Sequence, residues 1–251
     1  MPCLTLGRPA LRIARAGGTA QINKLSLKFD GIFQSLPELC QKIEGMKLFI
    51  TGIGTDVGKT VVAAIVTEAL EADYWKPVQA GDLEDSDTHK VRRRVSNAKT
   101  QFHPNAYALH TPASPHLAAA IDEISIDITQ IQEPTTENHL VIEGAGGVFV
   151  PLNATDCVID LIRPDYKVIV VSRHYLGSIN HTLLTIEALQ TRKINIAGII
   201  FSGDEHEPTE SIILQKTGVL FLGRINNEPY FDENVVRDYA DQLRETLLKL
   251  G

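Results

Sequence analysis

Short apolar runs alternate along this chain with stretches in which apolar residues recur every three or four positions. Residues 47–51 (KLFIT) form the first clear run and end at a glycine, which predicts a buried parallel strand. Over residues 61–71, Val62, Ile65, Val66, Ala69 and Leu70 fall at helical spacing. Residues 74–78 predict a second strand, stopped by Pro77. Residues 86–96 predict a helix with Ser86 or Asp87 near its cap. Shorter helices are expected over 115–121 and 127–132. Further strands are expected over 139–143, 167–172, 194–202 and 219–222, and further helices over 178–191, 209–217 and 232–250. Strands alternating with helices imply an α/β fold: a mainly parallel sheet with helices on both faces.

Residues 1–45 break the pattern. There is no acidic residue up to Lys28, while Arg8, Arg12 and Arg15 fall in an Ala/Gly-rich stretch. Phe29, Ile32, Phe33, Leu36, Leu39 and Ile43 suit a short amphipathic helix, and the arginines resemble a transit segment short of serine. The favoured expectation is an N-terminal extension arising from an upstream start, disordered before about Thr19. Met46 stands directly before the first well-formed strand, so the domain is read as residues 46–251.

The 251 residues are 43% hydrophobic and 22% charged, an ordinary composition for one folded α/β domain. A net charge of −7 argues against nucleic acid as the partner. The run Arg92, Arg93, Arg94 is read as a solvated helix face. Cys3, Cys40 and Cys157 are few, odd in number and far apart, so neither a disulfide framework nor a zinc site is expected, and a cytoplasmic location fits. No apolar run is long enough for a membrane span.

The chemistry begins at Gly52-Ile-Gly-Thr-Asp-Val-Gly-Lys59-Thr60, where an apolar strand meets a glycine-rich turn and a helix. Backbone amides of such a turn and the positive end of the helix form a cradle for phosphate. Lys59 reaches the β- and γ-phosphates, and the Thr60 hydroxyl is a ligand for Mg²⁺. Five residues separate Gly52 from Gly58, one more than the strict P-loop pattern, but the strand and helix on either side support a P-loop NTPase-like fold.

Six ordered blocks then resemble the dethiobiotin synthetase family. TGIGTDVGKT at 51–60 is similar to its TGTDTxVGKT loop, and YWKPVQAG at 74–81 to its YKPVxxG. Ser86-Asp87, PASPHLA at 112–118, EGAGG at 143–147 and LGSINHT at 176–182 follow in the family's order. Residues 1–45 have no counterpart. The resemblance implies an ATP- and Mg²⁺-dependent ligase that joins CO₂ to a vicinal diamine, 7,8-diaminononanoate. The route runs through a carbamate and a carbamic–phosphoric anhydride.

On that resemblance the catalytic residues are Lys76, Lys59 and Thr55, with Lys76 bridging carbamate and γ-phosphate. Gly54, Thr55, Asp56, Val57, Gly58, Lys59 and Thr60 cradle the nucleotide. Thr60, Asp87 and Glu143 supply the hard oxygens that Mg²⁺ prefers, and Glu143 ends an apolar strand where a carboxylate is otherwise costly. Lys76, Ala80, Gly144, Gly146 and Gly147 face the diamine. Leu176, Gly177, Ser178 and Asn180 receive its carboxylate from the neighbouring subunit, which implies a homodimer with substrate near the interface. Plainer readings stand beside these: Lys76 as a lysine capping a strand end in solvent, Asp87 as a helix N-cap, Asn180 and His181 as braces of their helix, Ser114 and His116 as turn and packing residues.

The chain departs from the family in three places. Ala80 replaces a hydroxyl residue. Ser202-Gly203 stands where an asparagine commonly reads the adenine edge, and Ser202 is carried as the nucleotide residue there. GRINNE at 223–228 lacks the usual Ile-Pro. Weak discrimination of ATP from other nucleotides is therefore expected. Three other readings compete. A partitioning-type ATPase carries an extra loop lysine where this chain has Gly54. Cobyrinate amidating ligases append a glutaminase domain for which no length remains. A non-catalytic regulator would have no need of Lys76, Asp87 and Glu143 together.

Overall fold

A computed structural model describes residues 45–251, so the expectations for the segment before Gly45 lie outside the described residues. In chain order the main elements are β1 (Lys47–Gly52), α1 (Lys59–Leu70), β2 (Asp73–Trp75), β3 (Val78–Ala80), α2 (Asp87–Arg92), β4 (Phe102–His103), β5 (Tyr107–Leu109), α3 (Pro115–Ile121), β6 (Leu140–Gly147), β7 (Lys167–Arg173), α4 (Ser178–Thr191), β8 (Ile196–Ser202), α5 (Glu207–Thr217), β9 (Phe221–Ile225) and α6 (Glu233–Leu248). Seven strands form one sheet in the order β4-β2-β6-β1-β7-β8-β9, and each pair of neighbours is parallel. Connections from β1 lead one way across the sheet and those from β7 the other. Right-handed crossovers therefore set α1 and α4 on opposite faces, as the alternation predicted. Among the described residues, no helix is long and apolar enough to cross a membrane.

The central strands are buried on both sides. Leu48, Phe49 and Ile50 of β1 and Val168, Ile169, Val170 and Val171 of β7 are fully covered. Helix α1 was expected to show one apolar face. Instead Ala63, Ala64, Thr67 and Glu68 are buried too: α6 packs on the helix, with Arg244 donating to the Ala69 carbonyl at 2.6 Å, and the Glu68 carboxylate accepts from Ser96 and Asn97.

Several expected boundaries move. The strand expected over 74–78 breaks at Lys76-Pro77. Proline has no N–H for the ladder, so β2 stops at Trp75, and β3 pairs with β5 in a separate two-stranded sheet. The helix expected over 86–96 ends at Arg92, and 127–132 contains a single 3₁₀ turn, Ile128–Gln130. The strand expected over 139–143 continues to Gly147. Strands β4 and β5 were not foreseen.

A buried carboxylate ties the sheet edge together. Asp73 is 1% exposed and accepts from the Gln101 amide, the Thr136 hydroxyl, Asn138 and the His103 ring at 2.8–3.2 Å. Burial alone would raise its pKa, but these donors outweigh burial and hold it below the usual 3.8. A depressed folded pKa stabilises fully above the unfolded value and less as pH falls through the folded one. Asp73→Ala is accordingly expected to cost about 3 kcal/mol at neutral pH. Thermal melts from pH 7 down to 3 should show the gap between wild type and variant narrowing below about pH 4. A gap constant over that range would remove Asp73 from the acid sensitivity.

Candidate active site

The phosphate loop follows β1, and helix α1 starts at Lys59 as expected. Its N-cap is Gly58, at φ 94, with no side chain capping the first turn. Glycine is required at 58 twice over: by that backbone angle, and because a Cβ there would stand 2.8 Å from the Ser202 hydroxyl. Val57 packs its side chain against Gly52 and is 2% exposed. Lys59 is buried and donates from Nζ to the Gly54 carbonyl at 2.7 Å. Burial is the main cause that brings its pKa down to about 8; Glu143 opposes that shift and Lys76 adds to it.

Three segments far apart in sequence meet beside this loop. Lys76 lies at the break after β2, 4% exposed rather than in solvent. Its Nζ stands 2.6 Å from Asp87 Oδ2 and 3.0 Å from Glu143 Oε1. Burial would lower the Lys76 pKa, but Glu143 and Asp87 prevail and raise it, so it stays an ammonium. Glu143 Oε1 also accepts the Thr60 hydroxyl at 2.9 Å. Its other oxygen accepts the Tyr74 hydroxyl at 2.8 Å. Burial, then Glu143, push the Tyr74 pKa well above its ordinary value, which keeps the phenol a donor. Asp87 is not the helix cap. Ser86 takes that role, accepting from the His89 amide, and Asp87 is left to face Lys76. Burial would raise its pKa, and Lys76 chiefly holds it below the usual value.

A cavity of about 750 Å³ opens over this cluster. Thr55, Asp56, Gly58, Lys59 and Thr60 line it from the loop, Ala80 and Gly146 from the opposite wall. The rest of the expected set is spread wider. Gly54 and Gly147 line a neighbouring cavity of about 400 Å³ with Thr55, Phe149, His181 and Leu184. Gly144 faces inward: a Cβ there would meet the Phe49 ring at 3.0 Å, so packing against the core is what demands glycine. Ser202 ends β8 at a third cavity of about 230 Å³, shared with Asn226, Asn227 and Glu228. Leu176, Gly177, Ser178 and Asn180 lie at the start of α4 and line none of the three; Leu176 is fully exposed and Ser178 buried.

Thr60, Asp87 and Glu143 present a hydroxyl and two carboxylates, all hard oxygens. That fits Mg²⁺, which is held by one or two carboxylates and by substrate phosphates. Sequence reasoning missed Tyr74, whose aromatic ring reads as core and whose hydroxyl finds Glu143 only through β2–β6 pairing. The arginine run is exposed at Arg92 and Arg93, as a solvated face would be, and departs from that reading only at Arg94. Arg93 pairs with Asp85 at the surface and Arg92 lies over the Phe102 ring. Arg94 turns inward to line the large cavity, donating to the Phe231 carbonyl at 3.1 Å.

Known proteins resemble the chain in sequence and in fold. A family model described as an AAA domain matches residues 46–235. The ATP-dependent dethiobiotin synthetase BioD of Christiangramia forsetii is 62% identical over 202 residues, covering 80% of this chain and 98% of that protein. The protein of the same description from Cytophaga hutchinsonii is 51% identical over 199 residues, covering 78% and 96%. Among solved structures, the septum site-determining protein MinD from Pyrococcus horikoshii, complexed with Mg-ADP, superposes with a TM-score of 0.52. It is 12% identical and covers 83% of this chain and 94% of that one, a likeness of fold alone.

Proposed function

The chain belongs to the ATP-dependent dethiobiotin synthetases, and from that premise we propose how its residues divide the reaction. The enzyme uses ATP with Mg²⁺ to close a ureido ring from 7,8-diaminononanoate and CO₂, a step of biotin biosynthesis. One amine captures CO₂ as a carbamate. A carbamate oxygen attacks the γ-phosphorus, whose bond to ADP breaks, giving the carbamic–phosphoric anhydride and free ADP; the second amine then attacks the carbonyl carbon, loses its proton, closes the ring and expels phosphate.

The difficulty lies in bringing an anionic carbamate to an anionic phosphoryl group, so positioning and charge cancellation dominate. In our reading Lys59 binds the phosphate tail and Lys76 stands between that tail and the carbamate. Thr60, Asp87 and Glu143 would hold Mg²⁺, which would supply positive charge to offset that of the phosphates. Thr55, Ala80 and Gly146 flank the diamine. One observation carries the reading: a buried ammonium held 2.6 Å and 3.0 Å from two carboxylates, beside a phosphate loop and a large cavity. The test is phosphate release with ATP, diamine and bicarbonate, each omitted in turn. Release that ignores the diamine would overturn it.

Two features extend the proposal. The 176–180 segment serves a carboxylate from across a homodimer. Exposed Leu176, Phe149 and Leu184 favour this, because large apolar side chains left in water are suited to a partner surface. A sedimentation experiment reporting a monomer at assay concentration would refute it. We assign the ligase to residues 46–251 and its location to the cytoplasm; phosphate release by a chain lacking residues 1–44 tests the first assignment. Base selectivity is expected to be weak, with CTP and GTP supporting turnover within about tenfold of ATP, because a hydroxyl offers the base one hydrogen-bonding atom where a carboxamide offers two. The same phosphate assay measures it, and a preference for ATP far beyond that range would contradict it.

A further inference from the structure

Arg173 ends β7 at the rim of the site and, with Gly58 and Val61, lines both the 750 Å³ cavity and the 230 Å³ cavity beside Ser202. Its Nη1 donates to the Asp56 carbonyl at 3.1 Å, which ties the guanidinium to the phosphate loop itself. Among the described residues no carboxylate lies within ion-pair distance of it. By contrast Arg224 is held at two points by Glu210 and Arg93 by Asp85, while Arg94, on the same cavity, is tied to the Phe231 and Lys90 carbonyls.

The surroundings of Arg173 are already positive. The loop leads into the amino end of α1, where backbone amides and the helix dipole favour anions and disfavour cations. Lys59 stands on the same cavity wall. A guanidinium tethered there without a carboxylate gains only when an anion joins it, and its planar fork suits phosphate oxygens. We propose that Arg173 is a polyphosphate-binding residue, gripping the nucleotide where its phosphates pass from the Lys59–Glu143 cavity toward the Ser202 cavity. This rests on the nucleotide reading given above.

The full chain, as wild type, R173A and R173K, is titrated by calorimetry with ATP, ADP and adenosine. R173A is expected to weaken ATP and ADP about 10- to 100-fold and to leave adenosine unchanged. R173K, keeping the charge without the fork, should recover part of that loss. Unaltered ATP affinity in R173A would overturn the assignment. So would an equal loss for adenosine, which would mean that Arg173 only shapes the loop. Failure of the wild type to bind ATP, or to release phosphate on adding diamine, would instead sink the ligase reading.

Discussion

Lys76→Ala is expected to lower turnover on the order of a thousandfold while leaving ATP affinity within about threefold of wild type. The phosphate loop and Lys59 are untouched by the change, so the nucleotide keeps its cradle. What disappears is the one cation placed between Asp87 and Glu143, where the attacking carbamate would otherwise meet an unrelieved negative field. Buried Glu143 and half-buried Asp87 also lose their shared partner, so the variant without nucleotide should be less stable, by about 3 kcal/mol. Nucleotide titration, single-turnover phosphate release and a thermal melt separate these effects. Wild-type turnover in the variant would remove Lys76 from the chemistry. Loss of ATP binding and turnover together would make it a structural cation.

Glu143→Gln is the second large effect. The amide keeps the size of the carboxylate and can still accept from Tyr74, but it carries no charge for Lys76 or for a metal. Turnover is expected to fall at least about a hundredfold, and the Mg²⁺ concentration giving half-maximal activity to rise about tenfold. Tyr74→Phe provides the contrast: charge is retained, but one carboxylate oxygen loses its buried donor, so the melting temperature should fall more than activity does. An unchanged Mg²⁺ dependence in Glu143→Gln would strike Glu143 from the metal set.

The alternation of apolar runs and helical spacings made the parallel sheet legible, and the Gly52–Thr60 turn fixed where phosphate chemistry would sit. Lys76, Asp87 and Glu143 were found through ordered motifs, not periodicity, and the structure brings those three together. What was not legible depends on contacts between distant segments. Strands β4 and β5 are only two and three residues long, too short for alternation to register. Glu68 is buried because Ser96 and Asn97 close over its carboxylate, a contact that nothing local announces. Gly144 was grouped with its neighbours by motif, although its missing side chain makes room for Phe49. Arg94 and Arg173 look like ordinary surface arginines in a linear string, since only the fold decides which basic residues border a cleft.

The pairing of α1 with α6 has a consequence for the order of events during synthesis. The helix that carries Lys59 is made before β2 to β9, and α6, which packs on it, is translated only after them. Until then a growing chain holds α1, with Ala69 on it, without its final cover, a sticky surface of the kind chaperones recognise. The nucleotide cradle is thus assembled on a helix whose own seat is finished only after the rest of the sheet has been made.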